Sequence, residues 1–82
     1  MGRRGPRNTA AVDQERRALD RFAAWEEGAG AVVDRARAGD VLAQGRVLQA
    51  VDDAVALGAR QLAAAEVLGL SPRTLQRWRR RA

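Results

Sequence analysis

The sequence predicts an all-α chain, and three observations predict it. Apolar residues recur three and four apart, as one face of a 3.6-residue helix requires. No stretch alternates apolar and polar residues as a half-buried strand would, and no internal repeat or low-complexity tract breaks the pattern. Glycines at 28, 30, 39, 58 and 69 divide the chain into helix-sized pieces. The expected architecture is a three-helix unit over about residues 41–82, preceded by one long and one short helix.

The first piece, MGRRGPRN, holds three arginines, two glycines and a proline. Residues 1–8 are expected to form a disordered basic arm. It would lie along phosphates or in a minor groove, or would be a solvated tail of no consequence. Residues 9–40 follow as a helical segment for packing or dimerisation. Within it, Thr9 to Glu27 reads as a helix capped by Asn8 or Thr9. Its apolar stripe is Val12, Leu19, Phe22 and Ala23, with Trp25 at the edge. Asp13 and Arg17 are four apart and support the helix. Phe22 and Trp25 either pack on neighbouring helices or present a dimer face.

Gly28 and Gly30 end that helix, and a short one, Ala31 to Ala38, carries Val32, Val33 and Ala36 inward. Gly39 and Asp40 supply a break and a cap. The next helix runs from about Val41 to Leu57 with a stripe of Val41, Leu48, Val51 and Val55, and Val47 beside it. Gly45 costs it about 1 kcal/mol relative to alanine, so a start at Gly45 or Arg46 stands as the alternative.

The chain is organised around Gln61 to Trp78, QLAAAEVLGLSPRTLQRW. Arg60 to Leu68 is alanine-dense and helical. Gly69 falls where a helix C-terminus needs a left-handed residue. Ser71 can cap the following helix, and Pro72 stands at its first position, where no N–H is missed. Ala65, four residues before Gly69, suits a close helix crossing. Leu62, Leu68, Leu70, Leu75 and Trp78 are expected to form the shared apolar seam. The punctuation is that of a helix-turn-helix, with a second helix over residues 71–81 and the helix ending at Leu57 covering the pair.

Charge follows the same division. The 82 residues hold 15 basic residues, all arginine, against 10 acids, for a net charge of +5. Gly69 to Ala82 has Arg73, Arg77, Arg79, Arg80 and Arg81 and no acid, whereas Asn8 to Leu68 has seven arginines against all ten acids. A basic pole on a near-neutral body points to a polyanion. So short a chain is one domain with a small core. With no Lys or Ile and much Ala, Arg, Gly and Val, the composition points to a GC-rich bacterial genome.

Several functions lose their chemistry. Without Cys or His there are no disulfides, thiol nucleophiles or usual zinc sites, so no metal, cofactor or catalytic residue is expected. Asp52 and Asp53 are adjacent and would point about 100° apart on a helix. Ser71 is the single serine and is better used as a cap. No run suits a membrane span or a signal peptide. The expectation is a cytoplasmic, nucleoid-associated protein, not an enzyme, with no small-molecule ligand.

The arginine-rich helix admits roles by position. Leu75 and Trp78 face inward, and Arg73, Gln76, Arg77 and Arg80 fall on the opposite side. Arginine can bond guanine and glutamine can bond adenine bidentately in the major groove, so these four are the expected base readers. Ser71, Thr74, Arg79 and Arg81 are the expected phosphate contacts, with Arg60 and Gln61 at the start of the preceding helix. RNA modules present aromatics for stacking, but Trp78 has core spacing.

The run VLQAVDDAVALGARQLAAAEVLGLSPRTLQRWRR, Val47 to Arg80, resembles the DNA-binding region of bacterial insertion-sequence transposases with an integrase-like core. It is also similar, in its LG-S-RTL-R portion, to the Fis-type C-terminal helices of bacterial regulators. The resemblance implies a module that recognises the terminal repeats of a mobile element; the catalytic core of such transposases is a separate domain. Three function classes follow. The first is the double-stranded-DNA-binding module of a transposase, or a truncated or accessory product of one. The second is a free-standing transcription regulator that forms a homodimer through its N-terminal helices. The third is a protein adaptor using the Phe22 and Trp25 stripe.

Overall fold

A computed structural model describes the backbone of residues 4–81 and the side chains of residues 10–81. Five helices are found among these: α1 (Arg4–Gly28), α2 (Gly30–Arg37), α3 (Val41–Ala56), α4 (Gln61–Leu68) and α5 (Pro72–Arg81). The all-α expectation is met. Helix α1 begins ahead of the expected Thr9, so residues 4–8 of the expected basic arm are helical, while Met1 to Arg3 lie outside the described residues. Pro6 falls in the first turn of α1, where a missing N–H breaks no helical bond.

Helix α3 organises the core by packing against each of the other four helices. Its start is fixed by Asp40, whose carboxylate accepts from the Leu42 and Ala43 amides at 3.0 and 3.2 Å. That removes the alternative start at Gly45. Ala43 and Gln44 are buried in the first turns, and the Gln44 Nε2 donates to the Ala36 carbonyl at 3.0 Å, fastening α3 to the last turn of α2. This tertiary packing outweighs the glycine.

The buried face of α3 is Ala43, Gln44, Val47, Leu48, Val51 and Ala54. The expected stripe therefore needs correction: Val47 is fully buried, whereas Val41 and Val55 are 51% and 43% exposed. The period was right and the phase was not. Helices approach α3 from several sides, and close approach selects alanine where size alone would have chosen valine. Alanine does the same in α4. Ala63, Ala64 and Ala65 are buried, and Leu62, expected in the seam, is 51% exposed. In α1, Ala18 and Phe22 enter the core and Leu19 is half-buried, but Val12 is exposed. Phe22 is buried within its own chain, with Trp25 stacked on it at a centroid distance of 5.7 Å.

The turn between α4 and α5 follows from its glycine. Gly69 has φ +71°, the left-handed region that a Cβ disfavours. Its amide donates to the Glu66 carbonyl at 3.1 Å and the Leu70 amide to the Ala65 carbonyl at 3.0 Å. These two bonds are a Schellman motif, satisfying carbonyls that the helix end leaves open. Helix α2 and helix α3 end with the same pair of bonds, at Gly39–Asp40 and Gly58–Ala59. A further donor reaches the turn from α2, where the Arg37 guanidinium donates to the Leu68 carbonyl. Ser71 then caps α5, its hydroxyl accepting from the Thr74 amide at 3.2 Å.

Candidate nucleic-acid interface

Helix α5 is ten residues long and rests on two of them. Leu75 is fully buried and Trp78 is 4% exposed, so both anchor the helix against the body. Each side chain of this size contributes about 1.5–3 kcal/mol on burial. At about 100° per residue, these anchors turn positions 73, 76, 77 and 80 away from the core. The structure finds Arg73, Gln76, Arg77 and Arg80 all exposed. The four expected base readers thus share one outward face. Arg79, Arg80 and Arg81 lie in the last turn, where positive charge complements the helix dipole.

The expected phosphate contacts divide three ways. Arg81 is exposed. Ser71 and Thr74 engage each other, their hydroxyl oxygens 3.1 Å apart. Arg60, Gln61 and Arg79 are bonded to partners within the chain, although Arg60 and Arg79 remain exposed. The Arg79 Nη2 donates to the Asp52 Oδ1 and to the Gln61 Oε1, both at 2.8 Å, and its Nη1 reaches the Asp52 Oδ2 at 3.4 Å. This fork joins α5 to α3 and α4. An exposed ion pair of this kind contributes about 0–1 kcal/mol, so a phosphate can compete for the guanidinium.

Arg60 is tied to α1. Its Nε and its backbone amide both donate to the Glu15 Oε2, at 2.8 and 2.9 Å. The side-chain bond, then the backbone bond, holds the Glu15 carboxyl below the usual glutamate range, and the Arg60 guanidinium is correspondingly raised. Arg60 also stands at the N-cap of α4 without a side-chain bond to the first turn, leaving those amides without a cap. Expectation from sequence had placed Arg60 and Arg79 on phosphates and missed Asp52 and Glu15 as their partners. The separations of 45 and 27 residues leave no local trace in the sequence. Arg37 was missed as well, because its acceptor is a backbone carbonyl 31 residues away.

Among the described residues, no group of three Asp, Glu, His or Cys is placed to hold a metal ion, and no helix is long and apolar enough to cross a membrane. A shallow groove between α1 and α3 is lined by Phe22, Trp25, Val32, Ala50, Ala54 and Leu57, with Arg21, Arg46 and Asp53 also contributing.

A family model for a homeodomain-like domain matches residues 31–82. That span covers α3, α4, α5 and nearly all of α2, so it starts earlier than the unit expected from about residue 41. The bond from Arg37 to the turn and that from Gln44 to α2 give the earlier boundary a physical basis. No curated protein and no solved structure matches the chain.

Proposed function

Since the chain belongs to the homeodomain-like family of helix-turn-helix domains, we propose that it binds double-stranded DNA sequence-specifically through α5, as the DNA-binding module of a transposase or of a truncated or accessory transposase product. One observation carries the reading. Leu75 and Trp78 are buried while Arg73, Gln76, Arg77 and Arg80 stand exposed on the other side of the same helix. An α-helix fits the major groove, and bidentate arginine and glutamine contacts there discriminate bases by about 1–3 kcal/mol each. Arg81 and the uncapped first-turn amides of α4 supply backbone contacts, which fix register and carry no sequence information. No reaction is assigned to the chain. The transposase setting rests on the LGLSPRTLQRWR resemblance and on a helix-turn-helix family that is found in transposases.

Selection from a random duplex pool tests the reading. One enriched motif, blurred at a single position by Arg77→Ala and left intact by Arg81→Ala, is the expected result. A pool that leaves selection with its starting composition overturns sequence-specific binding.

A second reading, a dimeric transcription regulator, draws on the groove between α1 and α3, where Trp25 is only half-buried. A stable dimer in sedimentation that Trp25→Glu dissociates without unfolding favours it over the transposase module. A monomer at high concentration removes it.

A further inference from the structure

We propose that Asp52 determines the specificity of the DNA interface by acting through Arg79, an inference that rests on the DNA-binding reading above. Phosphate contacts are blind to sequence, so every arginine free to reach the backbone strengthens binding to any duplex. Of the five α5 arginines, Arg79 is the one turned toward α3 and α4, and the Asp52 carboxylate holds its guanidinium there through both oxygens, at 2.8 and 3.4 Å. The same guanidinium nitrogen keeps the Gln61 Oε1 at 2.8 Å, so one carboxylate of α3 governs two residues suited to phosphates. The fork has a second effect. It links all three helices of the reading unit at the C-terminal half of α5, where Trp78 is the nearest core anchor, and thereby sets how the helix is tilted toward the groove.

Both partners are open to solvent, the Arg79 and Asp52 side chains being 36% and 52% exposed. The guanidinium can therefore exchange its carboxylate for a phosphate without exposing a core. Asp52 opposes that exchange, keeping sequence-blind charge low while the outward face of Arg73, Gln76, Arg77 and Arg80 remains available. Asp52 is a positioning residue that needs no contact with a base.

The test is a double-mutant cycle on the full chain, with affinity for the selected duplex and for a scrambled one measured across a salt series. Asp52→Asn is expected to tighten scrambled-duplex binding by about two- to fivefold and to steepen its salt dependence by about one unit. It gains less on the selected duplex, so the ratio between the two falls. In an Arg79→Gln background the same substitution is expected to change neither slope. Circular dichroism and a thermal melt verify that each variant is folded. An unchanged ratio and slope in Asp52→Asn overturns the proposal. A steepening that persists in Arg79→Gln also overturns it, since the acid would then repel phosphates directly. Wild-type protein that binds no duplex at low salt sinks the DNA-binding reading itself, and the role of Asp52 with it.

Discussion

Helices α1 and α5 each carry five arginines and use them in opposite ways. In α1 the arginines stand among five acids, for no net charge, and Arg16 pairs with Asp13 at 2.9 Å one turn away. In α5 there is no acid at all, and the nearest carboxylate partner is imported from α3. Both helices sink an aromatic ring into the core, Phe22 in one and Trp78 in the other. Burial therefore does not distinguish them; the removal of acids does. A helix becomes a polyanion-binding face when its cations have no neighbours of its own to satisfy them.

The largest effects should come from the two rings, and they should differ in kind. Truncating either Trp78 or Phe22 to alanine costs about 3–5 kcal/mol of stability, readable in a urea melt. At a temperature where both variants remain folded, Phe22→Ala should keep duplex affinity within about twofold, whereas Trp78→Ala loses it because α5 is no longer seated. Equal losses of affinity would erase the division between the helices. Next in size is charge itself. Arg77→Ala should weaken the selected duplex by about 1–3 kcal/mol, measured by fluorescence anisotropy, while Arg17→Ala in α1 leaves it unchanged.

A smaller effect is expected at the turn. Gly69→Ala keeps the composition of α5 but forces a Cβ into a φ of +71°, at about 1–2 kcal/mol in a denaturant melt. A neutral result would mean that the turn relaxes without its left-handed residue. The smallest concerns the ion pair between Glu15 of α1 and Arg60 at the N-cap of α4. Glu15 has its carboxyl held below the usual range in the folded chain by Arg60. The unfolded state then binds more protons across that interval, so stability rises with pH there. The contribution is present above the ordinary glutamate value and is lost as pH falls through the lowered folded one. Glu15→Gln should flatten the acid limb of a stability–pH profile. An unchanged acid limb would show that the pair contributes no linkage.

Much of this molecule was readable from local chemistry. Asp40 before Val41, Gly69 after Leu68, and Ser71 with Pro72 before the last helix each act within a few residues, and each sits where the spacing placed it. The outward face of α5 was readable for the same reason, since a ten-residue helix with two large apolar residues has few ways to lie. What escaped was non-local. The phase of α3 depended on which helices surround it, and the small size of Ala43 and Ala54 hid their place in the core. The start of α1 was set too late because Gly5 and Pro6 read as part of a tail, although a first turn tolerates them. The restraint of Arg79 and Arg60 could not be foreseen, because their acids stand on other helices.

Arg37 decides where this unit can be cut out and transplanted. A fragment opening at Val41 keeps the reading helix and its two anchors, yet leaves the carbonyl end of α4 without the guanidinium that reaches it from α2. The loss falls on the corner that sets the angle between the two helices of the motif, so such a graft would mis-aim its arginines. A border drawn before Gly30 carries the missing hand along with it.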